Sequence, residues 1–234
     1  MTITDLPITA PYAPVTLDLY RDIHKAIRVE LFSVTSTAGR IDPAQGIARA
    51  AVANHVNDIV ELLVQHAEHE DATIQPALEV HLPALAERIE VDHVTIEARM
   101  EDLKEMAAEA AALSVVDPAA KVHRLYLALA AFTSDYLEHQ DVEERVVMPA
   151  LEEAVGVDEV VAIHGAILAS IPPDEMARSL ALMLPAMNID NRAELLGGMR
   201  AGAPAEVFEG VWGLAGSVLE PSDFTALAAR LDIR

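Results

Sequence analysis

The sequence predicts an all-α protein: an up-down-up-down four-helix bundle followed by a helical C-terminal extension. Three observations predict it. Apolar residues recur at helical spacing over four long segments, and no period-two run bounded by turn residues interrupts them. Short stretches bearing Gly and Pro separate those segments, as the connections of antiparallel helices require. Aromatics make up only 4% of a chain that is 52% hydrophobic. Ala, Leu, Val, Ile and Met must therefore fill the core, which suits packed helices better than a sandwich.

The elements follow in order. Residues 1–14 contain Pro7, Pro11 and Pro14 and read as an extended tail. From Val15 to about Ser36, the residues Leu17, Tyr20, Ile23, Ile27 and Leu31 follow one helical face. Gly39 and Pro43 punctuate. A second helix over about 43–75 carries Ile47, Ala51, His55, Ile59, Leu62, Leu63 and His66 near one stripe, and Pro76 ends or bends it. A third runs from about Pro83 to Leu113 and is stopped by Asp117-Pro118. A fourth runs from about Pro118 to Met148, before Pro149 and Gly156. Residues 15–153 thus form the expected bundle domain.

The remainder, 154–234, reads as shorter helices at about 157–170, 173–186, 190–200, 203–219 and 221–232. Pro172-Pro173, Gly197-Gly198, Gly202, Pro204 and Pro221 divide them. Pro173-Asp174 and Pro221-Ser222-Asp223 have the form of helix starts. We read this part as an extension packed on the bundle. Its Ala- and Gly-rich apolar helices can serve equally as a homodimer interface.

Charge and composition exclude several functions. A net charge of −22 argues against a nucleic-acid or anionic-membrane surface, because phosphate recognition needs clustered Lys and Arg. The absence of cysteine rules out disulfides, thiolate metal sites and Cys catalysis. Residues 1–13 lack a basic start and an apolar run, and no uncharged apolar segment reaches membrane-spanning length. The expectation is a soluble cytoplasmic chain.

The chemistry lies in a repeat. Residues 66–79 read HAEHEDATIQPALE and residues 139–152 read HQDVEERVVMPALE, with six of fourteen positions identical. Both contain His-x-x-x-Glu, as His66/Glu70 and His139/Glu143. On a helix the two members of such a pair share a face. The first and third helices show a weaker echo, in which His24 and His93 each have Ile three residues later. The 69-residue separation of these two is close to the 73 residues between the stronger copies. The bundle therefore reads as a duplicated helix pair whose pseudo-two-fold axis brings four sets of side chains together.

The expected metal ligands are His24, His66, Glu70, His93, Glu97, His139 and Glu143. Four imidazoles and three carboxylates can hold two metal ions with a bridging Glu. Nitrogen and oxygen donors without sulfur suit iron best, with manganese or zinc the weaker fits. Three ionised Glu leave about +1 with two ferrous ions, and about +1 with two ferric ions and an oxo bridge. Cycling between those states changes little buried charge, whose cost would be several kcal/mol.

The joint pattern, with Pro76 and Pro149 each ten residues after a ligand His, resembles the hemerythrin-like (HHE cation-binding) proteins over residues 15–153. The resemblance implies a four-helix bundle holding a non-haem di-iron centre that meets O2, peroxide or nitric oxide. Against the oxygen carriers of that family, Glu97 stands where they have a His, giving four His and three Glu rather than five His and two carboxylates. A harder donor set stabilises ferric iron. It points to redox chemistry, with non-catalytic binding or sensing of O2, NO or iron as the alternative. In those carriers the fourth-helix carboxylate lies five residues after its His, which would select Glu144. A regular helix turns +5 about 140° away from the His, so Glu143 is preferred and Glu144 held in reserve, as Asp71 is for Glu70.

The other histidines are not expected to be ligands. His55 shares the stripe of His66 and can line the interior, and His69 points elsewhere. His81, His123 and His164 have no partner at useful spacing, although His164 can reach the site from the fifth helix. Met183, Met187 and Met199 read as core filler. Phe208 and Trp212 read as packing anchors of the extension.

Overall fold

A computed structural model describes residues 12–233 apart from 113 and 115. Most of the expected N-terminal tail (residues 1–11) and the expected end of the third helix, Leu113, lie outside the described residues. Every regular element described is helical: α1 Arg21–Ala38, α2 Gly46–Thr73, α3 Gln75–His81, α4 Pro83–Ala111, α5 Pro118–Val142, a π-helical turn Glu143–Val147, α6 Met148–Val155, α7 Val157–Ser170, α8 Pro173–Ala186, α9 Ile189–Gly202, α10 Ala205–Val218 and α11 Pro221–Arg230.

Helix boundaries depart from the periodicity where side chains capture backbone groups. The first helix begins at Arg21 rather than Val15. The Glu152 carboxylate accepts from the Thr16 N–H at 2.8 Å, and the Asp18 carboxylate accepts from the Tyr20 N–H at 3.0 Å. Those bonds hold 16–20 in turns and deny it a helical ladder. Asp42 likewise accepts from the Ala44 N–H at 3.0 Å and delays α2 to Gly46. The long fourth segment is not one regular helix. Pro149 cannot donate to the carbonyl four residues back, and the chain adjusts through a π-helical turn just ahead of it.

Contacts divide the chain into two compact units. The first comprises residues up to Tyr20 and Glu30–Ser170; the second comprises Arg21–Val29 and Ile171–Arg234. The division assigns α7 to the first unit.

In the first unit α4 packs on α2, α3 and α5, and α7 packs on α2 and α6. Tyr20, Ile74, Leu78, Ile89, Val147, Met148 and Leu151 form a core beside the α2–α3 and π-turn junctions. Buried Arg49 donates to the carbonyls of Ala110 and Pro43, both at 2.7 Å, and so satisfies an end group of α4 that helix geometry leaves open. Asp117, in the left-handed region at φ 54°, caps α5 by accepting from the Ala120 N–H at 3.1 Å. The capping bond offsets the cost of that backbone conformation for a residue with a side chain.

The second unit has its own core of Leu184, Leu196, Ala215, Leu219 and Leu227. Trp212 lies 4.6 Å from the Phe224 ring and 6.2 Å from Phe208, the anchoring role expected of it. Arg192 repeats the device of Arg49: it donates to the Leu184 carbonyl at 2.7 Å, the Pro185 carbonyl at 3.2 Å and Asp223 at 2.8 Å. No helix among the described residues is long and apolar enough to cross a membrane.

Candidate metal centre

The centre of the first unit is built from three helices. On α2, His66 and Glu70 stand one turn apart, and their side chains meet at 3.0 Å between Nε2 and Oε1. At the end of α5, His139 Nε2 lies 3.1 Å from Glu143 Oε1. The two His-x-x-x-Glu copies thus adopt the same geometry. From α4, His93 Nε2 stands 3.6 Å from Glu70 Oε2 and 3.9 Å from Glu143 Oε1, beyond hydrogen-bond length in both cases.

Glu70, His93, His139 and Glu143 each offer a ligand atom within 4.8 Å of the others. The atoms of His66, Glu70 and Glu143 are equally close to one another. Both carboxylates therefore belong to both groupings, the position a bridging ligand needs. His24 is fully buried, on the Arg21–Val29 stretch of α1 that clusters with the second unit.

Burial makes these charges interdependent. The Glu143 side chain is 1% exposed and that of Glu70 is 8% exposed. Two carboxylates in so dry a place demand positive charge nearby. Burial pulls the His93 pKa down, but the Glu143 and Glu70 carboxylates outweigh it and hold the ring at about 11. His139 is subject to the same burial, and Glu143 and Asp92 raise it to about 9. Both rings thus hold their protons more tightly than a free imidazole. A metal ion with these ligands would replace those protons. Burial, together with Glu70 and Glu143, also raises the phenol pKa values of Tyr20 and Tyr136, so both stay protonated.

The donor set fits a divalent cation. All donors in the two groupings are imidazole nitrogens or carboxylate oxygens. His93 is also oriented from behind: its Nδ1 lies 2.9 Å from Asp71 Oδ1. A carboxylate on the far ring nitrogen is the usual support of a metal-binding imidazole. Asp92 stands in the corresponding place behind His139, at 3.8 Å.

The structure places the remaining sequence candidates as follows. Glu97 is exposed, lines a wide cavity beside His93 and lies outside both ligand groupings. Glu144 is half-buried one residue past the buried Glu143 and is likewise outside them. Asp71 faces His93 from behind rather than replacing Glu70. His55 pairs with Glu30 at 2.9 Å, and His69 Nδ1 lies 3.0 Å from the Ser170 hydroxyl. His123 stacks on Tyr126, His81 is exposed, and burial lowers the pKa of His164. None of these five belongs to a ligand grouping among the described residues.

Sequence reasoning missed Asp71 as a support, Tyr136 against the His139 ring at 5.7 Å, and Gln75. Tyr136 has a signal, since it precedes His139 by three residues on the same face. Gln75 has none, because its relation to the site depends on the break between α2 and α3.

Two cavities adjoin the centre. One, of about 10 Å³, lies between Tyr20, Glu70, Gln75, His93 and Glu143. The other, of about 460 Å³, opens between α2 and α4 past Glu68, Asp71, Glu90, Glu97 and Met100 and reaches His93 and His139.

Comparison with known families matches residues 15–151 to a family described as hemerythrin HHE cation binding domain. No curated protein and no solved structure matches the chain.

Proposed function

The chain belongs to the hemerythrin HHE cation-binding domain family, and from that premise we propose that it is a non-haem di-iron protein whose centre carries out redox chemistry with O2 or peroxide. The observation that carries this reading is the pair of buried carboxylates, Glu70 and Glu143, common to two groupings of possible ligands. Together with His66, His93 and His139, these two carboxylates would hold the metal ions. His24 is the remaining candidate ligand, supported by its complete burial and its sequence relation to His93. Long helices α1, α2, α4 and α5 would run up-down-up-down around the centre, a topology supported by short connections between them.

Glu97 is exposed at the mouth of the larger cavity. In the proposal it controls approach and would join the ligands only by turning inward. Without it, two carboxylates against two divalent ions leave about +2, which favours uptake of one small exogenous ligand. Iron would supply the electrons and a Lewis acid. The protein's own part is to hold the His93 imidazole in one tautomer through Asp71 and to limit water around the site. The protonated phenols of Tyr20 and Tyr136 provide the nearby hydroxyl groups.

The second reading is sensing of O2, NO or iron without turnover. It is favoured by the second compact unit, which has its own core and includes the stretch of α1 that carries His24. Metal analysis of freshly purified protein, with its visible spectrum before and after peroxide, tests the first reading. The expected result is about two irons per chain with oxo-bridged ferric absorption and catalytic loss of peroxide. Zinc alone or no metal would refute the di-iron reading. Iron without turnover, with gas-dependent protease protection of residues 171–234, would favour sensing.

A further inference from the structure

We propose that Gln75 is a positioning residue that holds a small O–H-bearing ligand, water or hydrogen peroxide, in the cavity beside Glu70, His93 and Glu143. The inference rests on the di-iron reading for its chemistry, but its geometry stands alone. Gln75 is the first residue of α3, with only 9% of its surface exposed. Its Nε2 donates to the Ala86 carbonyl at 3.1 Å. That bond settles the amide orientation, because the reverse would set Oε1 against a carbonyl oxygen. Oε1 is then left buried with no hydrogen-bond donor among the described residues.

A buried acceptor without a donor is costly unless a solvent molecule supplies one. Gln75 lines both cavities at the centre, the smaller of about 10 Å³, the scale of a single water, and the larger of about 460 Å³, with room for a two-oxygen ligand. The other polar walls of the smaller cavity are the Tyr20 phenol, the His93 ring and the carboxylates of Glu70, Asp71 and Glu143. An acceptor at this place selects for a ligand that can donate. Water and hydrogen peroxide do so, whereas O2 and NO have no proton to give. Gln75 would thus hold the peroxide O–H while leaving diatomic gases unaided, which deepens the proposed function toward peroxide.

The test has two arms. A high-resolution crystal structure of the full chain should show ordered oxygen density at hydrogen-bond distance from Gln75 Oε1. A single oxygen identifies water, and elongated density after a peroxide soak identifies hydrogen peroxide. An Oε1 that faces an internal donor or empty space would overturn the proposal, whether or not iron is bound. In the second arm, Gln75→Met and Gln75→Glu are loaded with iron and mixed with peroxide or NO. Gln75→Met should lower the second-order rate constant with peroxide about 5- to 10-fold, the equivalent of one hydrogen bond, and leave NO affinity unchanged. Gln75→Glu, which as a neutral acid keeps a donor toward Ala86 and an acceptor toward the cavity, should recover most of the rate. Equal loss of both ligands, or no loss of either, would overturn the proposal. Failure of the parent chain to take up iron would refute the di-iron reading while the crystallographic arm still decides the role of Gln75.

Discussion

Asp71 Oδ1 lies 2.9 Å from Nδ1 of His93, on the opposite side of the ring from Glu70 and Glu143. The contact ties α2 to α4 and fixes which His93 nitrogen faces the centre. Asp71 immediately follows Glu70, so neighbouring residues of α2 serve the inner and outer sides of one imidazole. Asp71→Asn keeps the shape but removes the charge that favours this orientation. Metal affinity, measured by competition with a chelator, should fall about 10- to 100-fold with helix content unchanged. An unchanged affinity would remove Asp71 from the site.

The metal-free chain should lose stability as pH rises above neutrality. His93 and His139 have folded-state pKa values of about 11 and about 9, both raised from 6.5. The folded state therefore binds protons more tightly than the unfolded state. That stabilisation is complete below pH 6.5 and declines above it; the His139 share is lost by about pH 9 and the His93 share by about pH 11. Denaturant midpoints at pH 6, 8 and 10 check it; a midpoint that rises with pH would contradict the assignment.

Glu143→Gln should return the His93 titration toward its ordinary value in the metal-free protein, since Glu143 is the strongest of the groups that raise it. Proton NMR of the ring follows this directly. The same change should abolish tight binding of the metal by removing a carboxylate shared by both groupings.

Metal should stabilise the chain by mass action. With free metal at 100 times its dissociation constant, the expected gain is about 2.7 kcal/mol. Thermal unfolding with and without chelator measures it. The shift should vanish in a His66→Ala, Glu70→Ala double variant.

Gly156 ends α6 at φ 82°, and a Cβ there meets no atom within 4 Å. Gly156→Ala should therefore cost about 1–3 kcal/mol through backbone strain alone. Arg49→Met should cost about 1–3 kcal/mol by leaving the Ala110 and Pro43 carbonyls without their donor. Chemical denaturation checks both.

Much of this was legible in one dimension because it is local. The His-x-x-x-Glu spacing puts two candidate ligands on one helical face whatever surrounds it, and the members of each pair stand about 3 Å apart. Pro173 and Pro221 open α8 and α11 where their missing N–H groups do no harm. The extent of helix between those marks was less legible. Asp18, Asp42 and Glu152 capture backbone donors, and nothing in apolar periodicity records that.

By itself, the sequence determined the helical class, the family, the two His-Glu pairs and the demand for a cation, since each depends on residue type and near-neighbour spacing. Tertiary structure alone decided that Glu143 rather than Glu144 is buried, that Asp71 stands behind His93, that Glu97 is exposed at the mouth of a cavity and that Gln75 faces the site. Those outcomes depend on the π-helical turn before Pro149, on the break between α2 and α3, and on the way α4 packs against α2. The physical reason is that burial and second-contact geometry are set by the distance between helices, which no spacing along a single helix encodes.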